Sequence, residues 1–180
     1  MPFHLPPLTL VLGGAASGKS EVAEGLLART GRAMTYVATA TAGDDEMRAK
    51  IAAHRARRGA GWTTIEAPLD LTDALAGVPG SGAVLVDCAS LWLTNHLLAD
   101  HDLGVEEARL LAALAACAAP IVVVSNEVGS GGVATGALAR RFQTAQGRLN
   151  QSLATKAGLV IMVVAGLVRV LKGKLPEETA

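Results

Sequence analysis

The chain has 180 residues, 51% of them hydrophobic, and its 16 basic residues balance its 16 acidic ones to a formal net charge of zero. This length suits a single domain over residues 1–180, and the apolar content excludes a disordered chain. The balanced charge excludes a general electrostatic attraction to nucleic acid. Any phosphate binding must therefore depend on a local group of charges.

No stretch of the sequence predicts a secreted protein or a membrane span. Residues 1–10 lack the basic segment and long apolar run of a signal peptide. The longest apolar run, LVIMVVAGLV at 159–168, is about half as long as a membrane span. Cys88 and Cys117 have no metal-binding spacing and lie in apolar surroundings, which predicts buried, reduced thiols. We therefore expect a cytoplasmic protein.

Short apolar runs alternate with helical segments along the chain. The runs predicted as strands are Leu8–Leu12, Met34–Ala38, Ala83–Val86, Ile121–Val124 and Leu159–Val164. The segments predicted as helices are Lys19–Arg29, Asp44–Arg58, Leu91–Ala99, Val105–Ala118 and Leu138–Ala157. Because the strands do not alternate with polar residues, both of their faces should be buried. The order predicts an α/β fold with a mostly parallel, doubly wound sheet, helices on both faces and an antiparallel edge strand at Val168–Leu171.

The octapeptide GGAASGKS follows the first predicted strand and precedes the first predicted helix. It matches the pattern G-x-x-x-x-G-K-[ST] in full, in the strand–loop–helix context that this pattern requires. Backbone N–H groups of such a loop point at phosphates, the lysine reaches the β- and γ-phosphates, and the serine hydroxyl binds Mg²⁺. The sequence thus predicts a P-loop NTPase-like nucleotide site formed by Gly13, Gly14, Ala15, Ala16, Ser17, Gly18, Lys19 and Ser20.

Asp87 ends the third predicted strand, and two roles are open for it. At the carboxyl end of a parallel strand, its carboxylate would join Ser20 in binding the Mg²⁺ of a nucleotide. Alternatively, Asp87 and Ser90 would cap the helix that follows. The first role is favoured because ligands bind beyond the carboxyl ends of such strands.

The segment DDEMRAKIAAHRARR, residues 44–58, places a histidine among cations. Helical spacing puts Lys50, Arg57 and Arg58 on the same face as His54. Nearby cations keep an imidazole neutral and would stabilise charge on a phosphoryl group. From these residues alone His54 could be a nucleophile, a general base, a phosphate ligand or a surface residue. His4, His96 and His101 show no comparable grouping and are predicted to be structural or surface residues.

The motifs together resemble the bifunctional adenosylcobinamide kinase / adenosylcobinamide-phosphate guanylyltransferase family of cobalamin biosynthesis. The resemblance runs over nearly the whole chain, through GGAASGKS, YVATAT, DDEMRAKIAAHRARR, GWTTIEAP, VLVDCASLWLTN, VVVSNEVGSG and LARRFQTAQGRLNQSLA. The P-loop alone is common, whereas DDEM with a downstream histidine, NEVG and GRLNQ are specific in combination.

The resemblance implies two reactions on one scaffold. A nucleoside triphosphate, ATP or GTP, phosphorylates adenosylcobinamide, and GTP then donates GMP to the product through a guanylylated histidine that falls on His54. Lys19 is implied in catalysis, and a contact of Asp87 with ribose instead of metal is also open. A homotrimer is implied as well. Beyond the P-loop, the implied nucleotide contacts are Thr39, Ala40, Thr41, Arg55, Ala56, Arg57, Arg58, Glu66 and Asp87.

The chain departs from the family pattern after NEVG, where residues 130–135 read SGGVAT. The family usually has a methionine, a proline and an acid there, and the loop is a candidate for the wall that faces the corrinoid. Asn126 and Glu127 just before it are interpreted either as a helix cap with an ion pair or as substrate ligands. Two other functions also fit the P-loop: a different small-molecule kinase in which His54 only clamps phosphate, and a regulatory module that binds nucleotide without turnover.

Overall fold

The computed structural model of the chain describes residues 3–41 and 61–176, together with residue 52. All but one residue of the helix predicted over Asp44–Arg58 therefore lie outside the described residues. The strands, in chain order, are β1 (Leu8–Gly13), β2 (Met34–Ala38), β3 (Trp62–Glu66), β4 (Ala83–Asp87), β5 (Ile121–Asn126), β6 (Leu159–Val164) and β7 (Leu167–Lys172). The helices are α1 (Lys19–Ala28), α2 (Leu71–Ala76), α3 (Ala89–Leu98), α4 (Leu103–Ala116) and α5 (Ala137–Lys156).

These strands form one sheet of seven in the order β3-β2-β4-β5-β1-β6-β7. The pairs from β3 to β6 are parallel, and β7 runs antiparallel to β6. Every residue of β1, near the centre of the sheet, is buried, whereas every residue of β7 is exposed. This arrangement confirms the predicted parallel sheet and the antiparallel edge strand near the C-terminus.

The prediction missed β3 and α2. Continuous apolar runs mark the buried strands, but β3 is an edge strand with the sequence WTTIE and an incompletely buried surface, so its pattern is weak. Helix α2 has only six residues, too few to show helical periodicity. It begins because the Asp70 carboxylate accepts a hydrogen bond from the backbone N–H of Thr72 at 2.8 Å, a cap that satisfies one otherwise unpaired amide.

The two faces of the sheet carry separate apolar clusters. On one face, α2, α3, α4 and α5 bury residues such as Leu75, Trp92 and Leu153. On the other face, α1 buries Leu26 and Leu27 and is the only described helix that covers this side. Alternate residues of the buried strands supply both clusters, which is why the strands read as continuous apolar runs. Helices thus lie on both faces, as predicted.

Some predicted core positions are more exposed than expected. Cys88 is buried, whereas Cys117 is only half-buried at the end of α4. Helical spacing predicts that Leu138 packs with Phe142, Leu149 and Leu153, but Leu138 lies in the first turn of α5 and is 54% exposed. Within the described residues, no helix combines the length and the hydropathy that a membrane span requires.

Leu97 and Leu98 provide a matched test of how α3 packs. Leu97→Ala should lower the free energy of unfolding by about 2–5 kcal/mol, because it leaves a cavity where a side chain 6% exposed was packed. Leu98→Ala removes the same atoms from a residue that is 69% exposed, so the change should stay within about 0.5 kcal/mol. Urea denaturation measures both, and equal effects would contradict the observed orientation of α3.

Candidate functional site

The parallel register brings the predicted site residues to one edge of the sheet. Gly13 at the end of β1 pairs with Asn126 at the end of β5. Asp87 at the end of β4 pairs with Ala38 at the end of β2, and Ala38 pairs with Glu66 at the end of β3. In open α/β sheets this carboxyl edge is where ligands bind. The P-loop therefore opens beside Asp87 and Asn126, as the sequence predicted.

Gly13 is required at the start of the P-loop because no side chain fits there. A Cβ atom on this residue would collide with Oγ of Ser17 and would lie 2.8 Å from the carbonyl oxygen of Val163. The backbone also turns sharply later in the loop, where Ala16 has φ of 53° and Gly18 has φ of 90°. Gly18 precedes α1 without giving it a side-chain cap. The first N–H groups of α1 are thus open to an anion, whose charge the helix dipole favours.

Internal hydrogen bonds hold the P-loop in this shape. Nζ of Lys19 donates to the carbonyl oxygen of Gly14 at 2.9 Å, so the side chain folds back across the loop. The backbone N–H of Gly166 in the β6–β7 turn donates to the carbonyl oxygen of Ser17 at 2.8 Å and ties the loop to the sheet. When phosphates occupy the loop, Lys19 would exchange a neutral carbonyl for a charged oxygen, which is the stronger acceptor.

Three buried oxygens beside the loop have no hydrogen-bond partner among the described residues. They are Oγ of Ser17, Oδ2 of Asp87 and Oδ1 of Asn126. Buried polar atoms are normally paired, and leaving one unpaired costs about 1–3 kcal/mol, so these three atoms are candidates for contact with a ligand. Carboxylate and hydroxyl oxygens are the ligands that Mg²⁺ takes, so Asp87 and the half-buried Ser20 fit this ion chemically.

The alternative interpretation of Asp87 and Ser90 as helix caps is wrong. The N-cap of α3 is Cys88, and no side chain caps this helix. Oγ of Ser90 instead accepts a hydrogen bond from the backbone N–H of Asn126 at 2.8 Å. Ser90 therefore joins α3 to the end of β5, and the Asp87 carboxylate is left for another role.

Thr39 supports Asp87 through the backbone. Its side chain is fully buried, and Oγ1 donates to the carbonyl oxygen of Cys88 at 2.8 Å and accepts from the Cys88 N–H at 2.7 Å. Its own N–H donates to the carbonyl oxygen of Asp87 at 3.2 Å. The hydroxyl group of Thr39 is thus used within the protein. The two residues that follow, half-buried Ala40 and exposed Thr41, are more open to a nucleotide.

Asn95 is a supporting residue that sequence reasoning missed. From α3, its Nδ2 donates to the carbonyl oxygens of Thr39 and Pro68, both at 2.9 Å. It thereby joins the segments that leave β2 and β3 at the carboxyl edge. The only sequence signal was an amide side chain within the apolar helix SLWLTN.

Cys88, next to Asp87, is not a nucleophile in this site. Burial raises the pKa of the Cys88 thiol to about 11, and the neighbouring Asp87 carboxylate contributes to this rise. The thiol therefore stays protonated at neutral pH, and a protonated thiol is a poor nucleophile.

Glu127 shapes the loop after β5 and acts neither as a helix cap nor in an ion pair that the structure records. Its carboxylate accepts hydrogen bonds from the N–H of Gly129 at 2.7 Å and from Oγ of Ser130 at 2.6 Å. The Ser130 hydroxyl is the main reason that the pKa of Glu127 is lowered. The charged carboxylate thus stabilises the first turn of the loop that is the candidate for the wall facing the corrinoid.

Gln143 of α5 holds the rest of this loop, a role that the sequence did not indicate. Its Nε2 donates to the carbonyl oxygens of Val128 at 2.9 Å and Gly132 at 2.6 Å. Its Oε1 accepts from the N–H of Ala134 at 3.2 Å. One side chain therefore fixes three points of a segment that has no regular structure.

A buried polar group on α5 supports the end of β5. Nε2 of Gln146 donates to Oγ of Ser125 at 2.9 Å, and this hydroxyl donates to Oδ1 of Asn150 at 2.6 Å. Nδ2 of Asn150 donates to the carbonyl oxygen of Asn126 at 3.0 Å. Through Asn150, these contacts give the GRLNQ motif, residues 147–151, a structural function, and the sequence signal for it is two amide side chains four residues apart on one helix face.

Several predicted site residues remain unplaced or at the margin. His54, Arg55, Ala56, Arg57 and Arg58 lie outside the described residues. Glu66 is exposed at the carboxyl end of β3. The arginines at 140, 141 and 148 line a groove of about 840 Å³ bounded by α3, α4 and α5.

The chain is similar in sequence to known proteins. A model of the family described as cobinamide kinase / cobinamide phosphate guanyltransferase matches residues 9–171. The bifunctional adenosylcobalamin biosynthesis protein CobP of Pseudomonas aeruginosa is 48% identical over 168 residues, which cover 92% of this chain and 97% of that protein. The bifunctional adenosylcobalamin biosynthesis protein CobU of Escherichia coli is 38% identical over 176 residues, which cover 89% of this chain and 97% of that protein.

Two solved structures share the fold. The flagellar accessory protein FlaH from Methanocaldococcus jannaschii has a TM-score of 0.51 and 12% identity, covering 97% of this chain and 80% of that one. The RadB recombinase has a TM-score of 0.52 and 17% identity, covering 98% of this chain and 85% of that one. At these identities the likeness concerns the fold alone, and it agrees with the predicted α/β fold with a mostly parallel sheet.

Gly13 and Gly25 allow a matched test of the P-loop. Gly13→Ala should weaken triphosphate binding by about tenfold or more, because the added methyl group has no space and must distort the loop. Gly25→Ala, in α1 and outside the loop, should bind as the unaltered protein does, since nothing lies within 4 Å of the point that its new methyl group would occupy. Titration with a fluorescent triphosphate analogue compares them, with thermal unfolding as a control for folding. Equal binding by the two variants would contradict the described loop.

Proposed function

Because the chain belongs to the cobinamide kinase / cobinamide phosphate guanyltransferase family, we propose that it catalyses both reactions of cobalamin biosynthesis that this family name describes. The observation that carries the proposal is the family match over residues 9–171, combined with a P-loop that opens beside the unpaired oxygens of Asp87 and Asn126. The fold alone would fit many nucleotide-dependent functions, whereas the match covers nearly the whole chain.

In the kinase reaction, a hydroxyl group of adenosylcobinamide attacks the γ-phosphorus of ATP or GTP. A new O–P bond forms, the bond to the β-phosphate oxygen breaks, and the hydroxyl proton leaves with a base. We propose that the loop amides, the N-terminus of α1 and Lys19 hold the phosphates in line and stabilise the charge of the transition state. Ser20 and Asp87 would hold Mg²⁺, which neutralises phosphate charge when bound.

In the guanylyltransferase reaction, we propose that an imidazole nitrogen of His54 attacks the α-phosphorus of GTP and pyrophosphate leaves. A phosphate oxygen of adenosylcobinamide phosphate then attacks the same phosphorus, His54 leaves, and adenosylcobinamide-GDP is formed. The covalent intermediate splits one difficult displacement into two easier ones. Support for this role comes from the position of His54 in the motif DDEMRAKIAAHRARR and from the cations on its predicted helix face.

The remaining partners are proposed on chemical grounds. The loop over residues 130–135, held in part by Glu127 and Gln143, is proposed to face the corrinoid, because it follows β5 at the edge where the phosphates are proposed to bind. We also propose a homotrimer, which the resemblance implies, and a cytoplasmic location, which the composition predicts. Scattering in solution would test the oligomeric state.

Covalent labelling tests the proposed role of His54. With GTP labelled at the α-phosphate, the unaltered protein and the control His4→Ala should acquire an acid-labile, base-stable label, because a phosphorus–nitrogen bond has this stability. His54→Ala should remain unlabelled. It should still transfer a γ-phosphoryl group to adenosylcobinamide, because its P-loop is unchanged. Scintillation counting of the denatured protein measures the label.

Each outcome separates the proposed functions. Absence of label on the unaltered protein, with kinase activity present, would leave a small-molecule kinase and remove the histidine intermediate. Absence of both activities alongside tight triphosphate binding would favour a regulatory nucleotide-binding module.

Asp87→Asn distinguishes a metal ligand from a ribose contact. If Asp87 holds Mg²⁺, the Mg²⁺ concentration for half-maximal kinase rate should rise by about tenfold or more, because an amide is a weaker ligand than a carboxylate. The KM for the triphosphate at saturating Mg²⁺ should change little. A raised KM with an unchanged Mg²⁺ requirement would instead show a ribose contact. Steady-state rates at varied Mg²⁺ provide the comparison.

A further inference from the structure

A second group of potential ligands lies at the turn between α3 and α4. His96 is near the end of α3, His101 is in the turn, and Glu106 is in the first turn of α4. Each of them offers a ligand atom, and these atoms all lie within 4.8 Å of one another. Among the described residues, no other group of three histidine, cysteine or acidic side chains has its ligand atoms this close together. The sequence predicted only that His96 and His101 are structural or surface residues, and the fold of the turn brings them together with Glu106.

Hydrogen bonds determine which nitrogen atoms face each other. Nε2 of His96 lies 3.2 Å from the carbonyl oxygen of Leu69, and a carbonyl can only accept, so this nitrogen carries the proton. Nδ1 of the neutral His96 ring then presents a lone pair. It lies 2.9 Å from Nδ1 of His101, which donates to it. The two Nδ1 atoms therefore face each other across this short distance.

The surroundings of His96 have the form of a supported metal ligand. Metal-binding histidines almost always donate their second N–H to a carbonyl or carboxylate, as His96 does to Leu69. The ring is 2% exposed and packs against Trp92 with 4.5 Å between centroids, which fixes its orientation. Burial is also the main reason that the pKa of His96 is lowered, which favours the neutral form of the ring that a metal ion requires.

Glu106 completes the group from α4. Its Oε2 lies 3.9 Å from Nδ1 of His96. Nη1 of Arg109 donates to both carboxylate oxygens at 3.2 Å, and Nη2 lies 3.5 Å from Oδ2 of Asp70. Arg109 can keep one oxygen of Glu106 while the other turns toward the histidines. The carboxylate is therefore oriented from outside the group.

Two of the three ligand separations are close to those of a tetrahedral zinc site, and all three are within 4.8 Å. Ligand atoms bound about 2.1 Å from Zn²⁺ lie about 3.4 Å apart in a tetrahedron. The observed separations of 2.9 Å between the two Nδ1 atoms and 3.9 Å between His96 and Glu106 differ from that value by about half an ångström each. Small side-chain rotations suffice to reach it, once the proton of His101 moves from Nδ1 to Nε2.

We propose that His96, His101 and Glu106 bind a divalent transition-metal ion, with Zn²⁺ the best match to two imidazoles and one carboxylate. Water fills the remaining position. The ion joins the end of α3 to the start of α4, so it stabilises this turn and, through α3, the segment that Asn95 holds at the carboxyl edge. This site uses none of the residues assigned to the triphosphate.

Zinc binding by matched variants tests the proposal. The purified, metal-free protein is titrated with Zn²⁺ by calorimetry, without nucleotide and with excess Mg²⁺ to occupy the hard-ligand site. The unaltered protein and the control His4→Gln should bind one Zn²⁺ at this site. His101→Gln and Glu106→Gln should bind it about tenfold or more weakly. His101 and Glu106 are substituted because His96 is buried, and replacing His96 could prevent folding.

Two further measurements keep the interpretation clear. The same series in a His54→Ala background excludes His54 as the zinc ligand. Thermal unfolding should show a midpoint that rises with Zn²⁺ for the unaltered protein and His4→Gln, and that stays constant for His101→Gln, because only binding to the folded state stabilises it. Equal zinc binding by all variants, or no binding by the unaltered protein at micromolar Zn²⁺, would overturn the proposal.

Discussion

The parallel register of the central strands places Gly13, Asp87 and Asn126 at one edge, and the rest of the molecule depends on that register. Parallel strands need crossover helices, so both faces of the sheet are covered and the strand ends are the open region of the fold. Where β1 ends at this edge, the packing leaves no room for a side chain at Gly13. The chain then turns through residues 14–18 into α1. The shape of the P-loop, which is proposed to bind phosphates, follows directly from this packing.

Polar residues around that edge divide into two groups. Thr39, Ser90 and Asn95 use their side chains to join neighbouring backbone segments, so their hydrogen bonds are satisfied inside the protein. Asp87 and Asn126 keep a buried oxygen atom without such a partner among the described residues. Since unpaired buried oxygens destabilise a protein, the first group provides the rigidity that keeps the second group in place for a ligand.

Helix α3 connects the two sites that the structure suggests. Asn95 links it to the segments after β2 and β3, and the adjacent His96 turns toward Leu69, His101 and Glu106. A metal ion at the second group would order the end of this helix. The same element would then support both the carboxyl edge and the turn to α4, although the two sites share no ligand.

The sequence by itself determined the class of fold, the P-loop from Gly13 to Ser20, the position of Asp87 and the family, because these depend on local patterns of apolar, glycine and charged residues. The tertiary structure decided the rest. The apolar pattern of the edge strand β3 was too weak to mark it as a strand, and the six-residue helix α2 was too short to show helical periodicity. The hydrogen bonds of Thr39 to Cys88 and of His96 to Leu69 join residues 49 and 27 positions apart. Such pairings depend on how the sheet and helices pack, so no local pattern contains them.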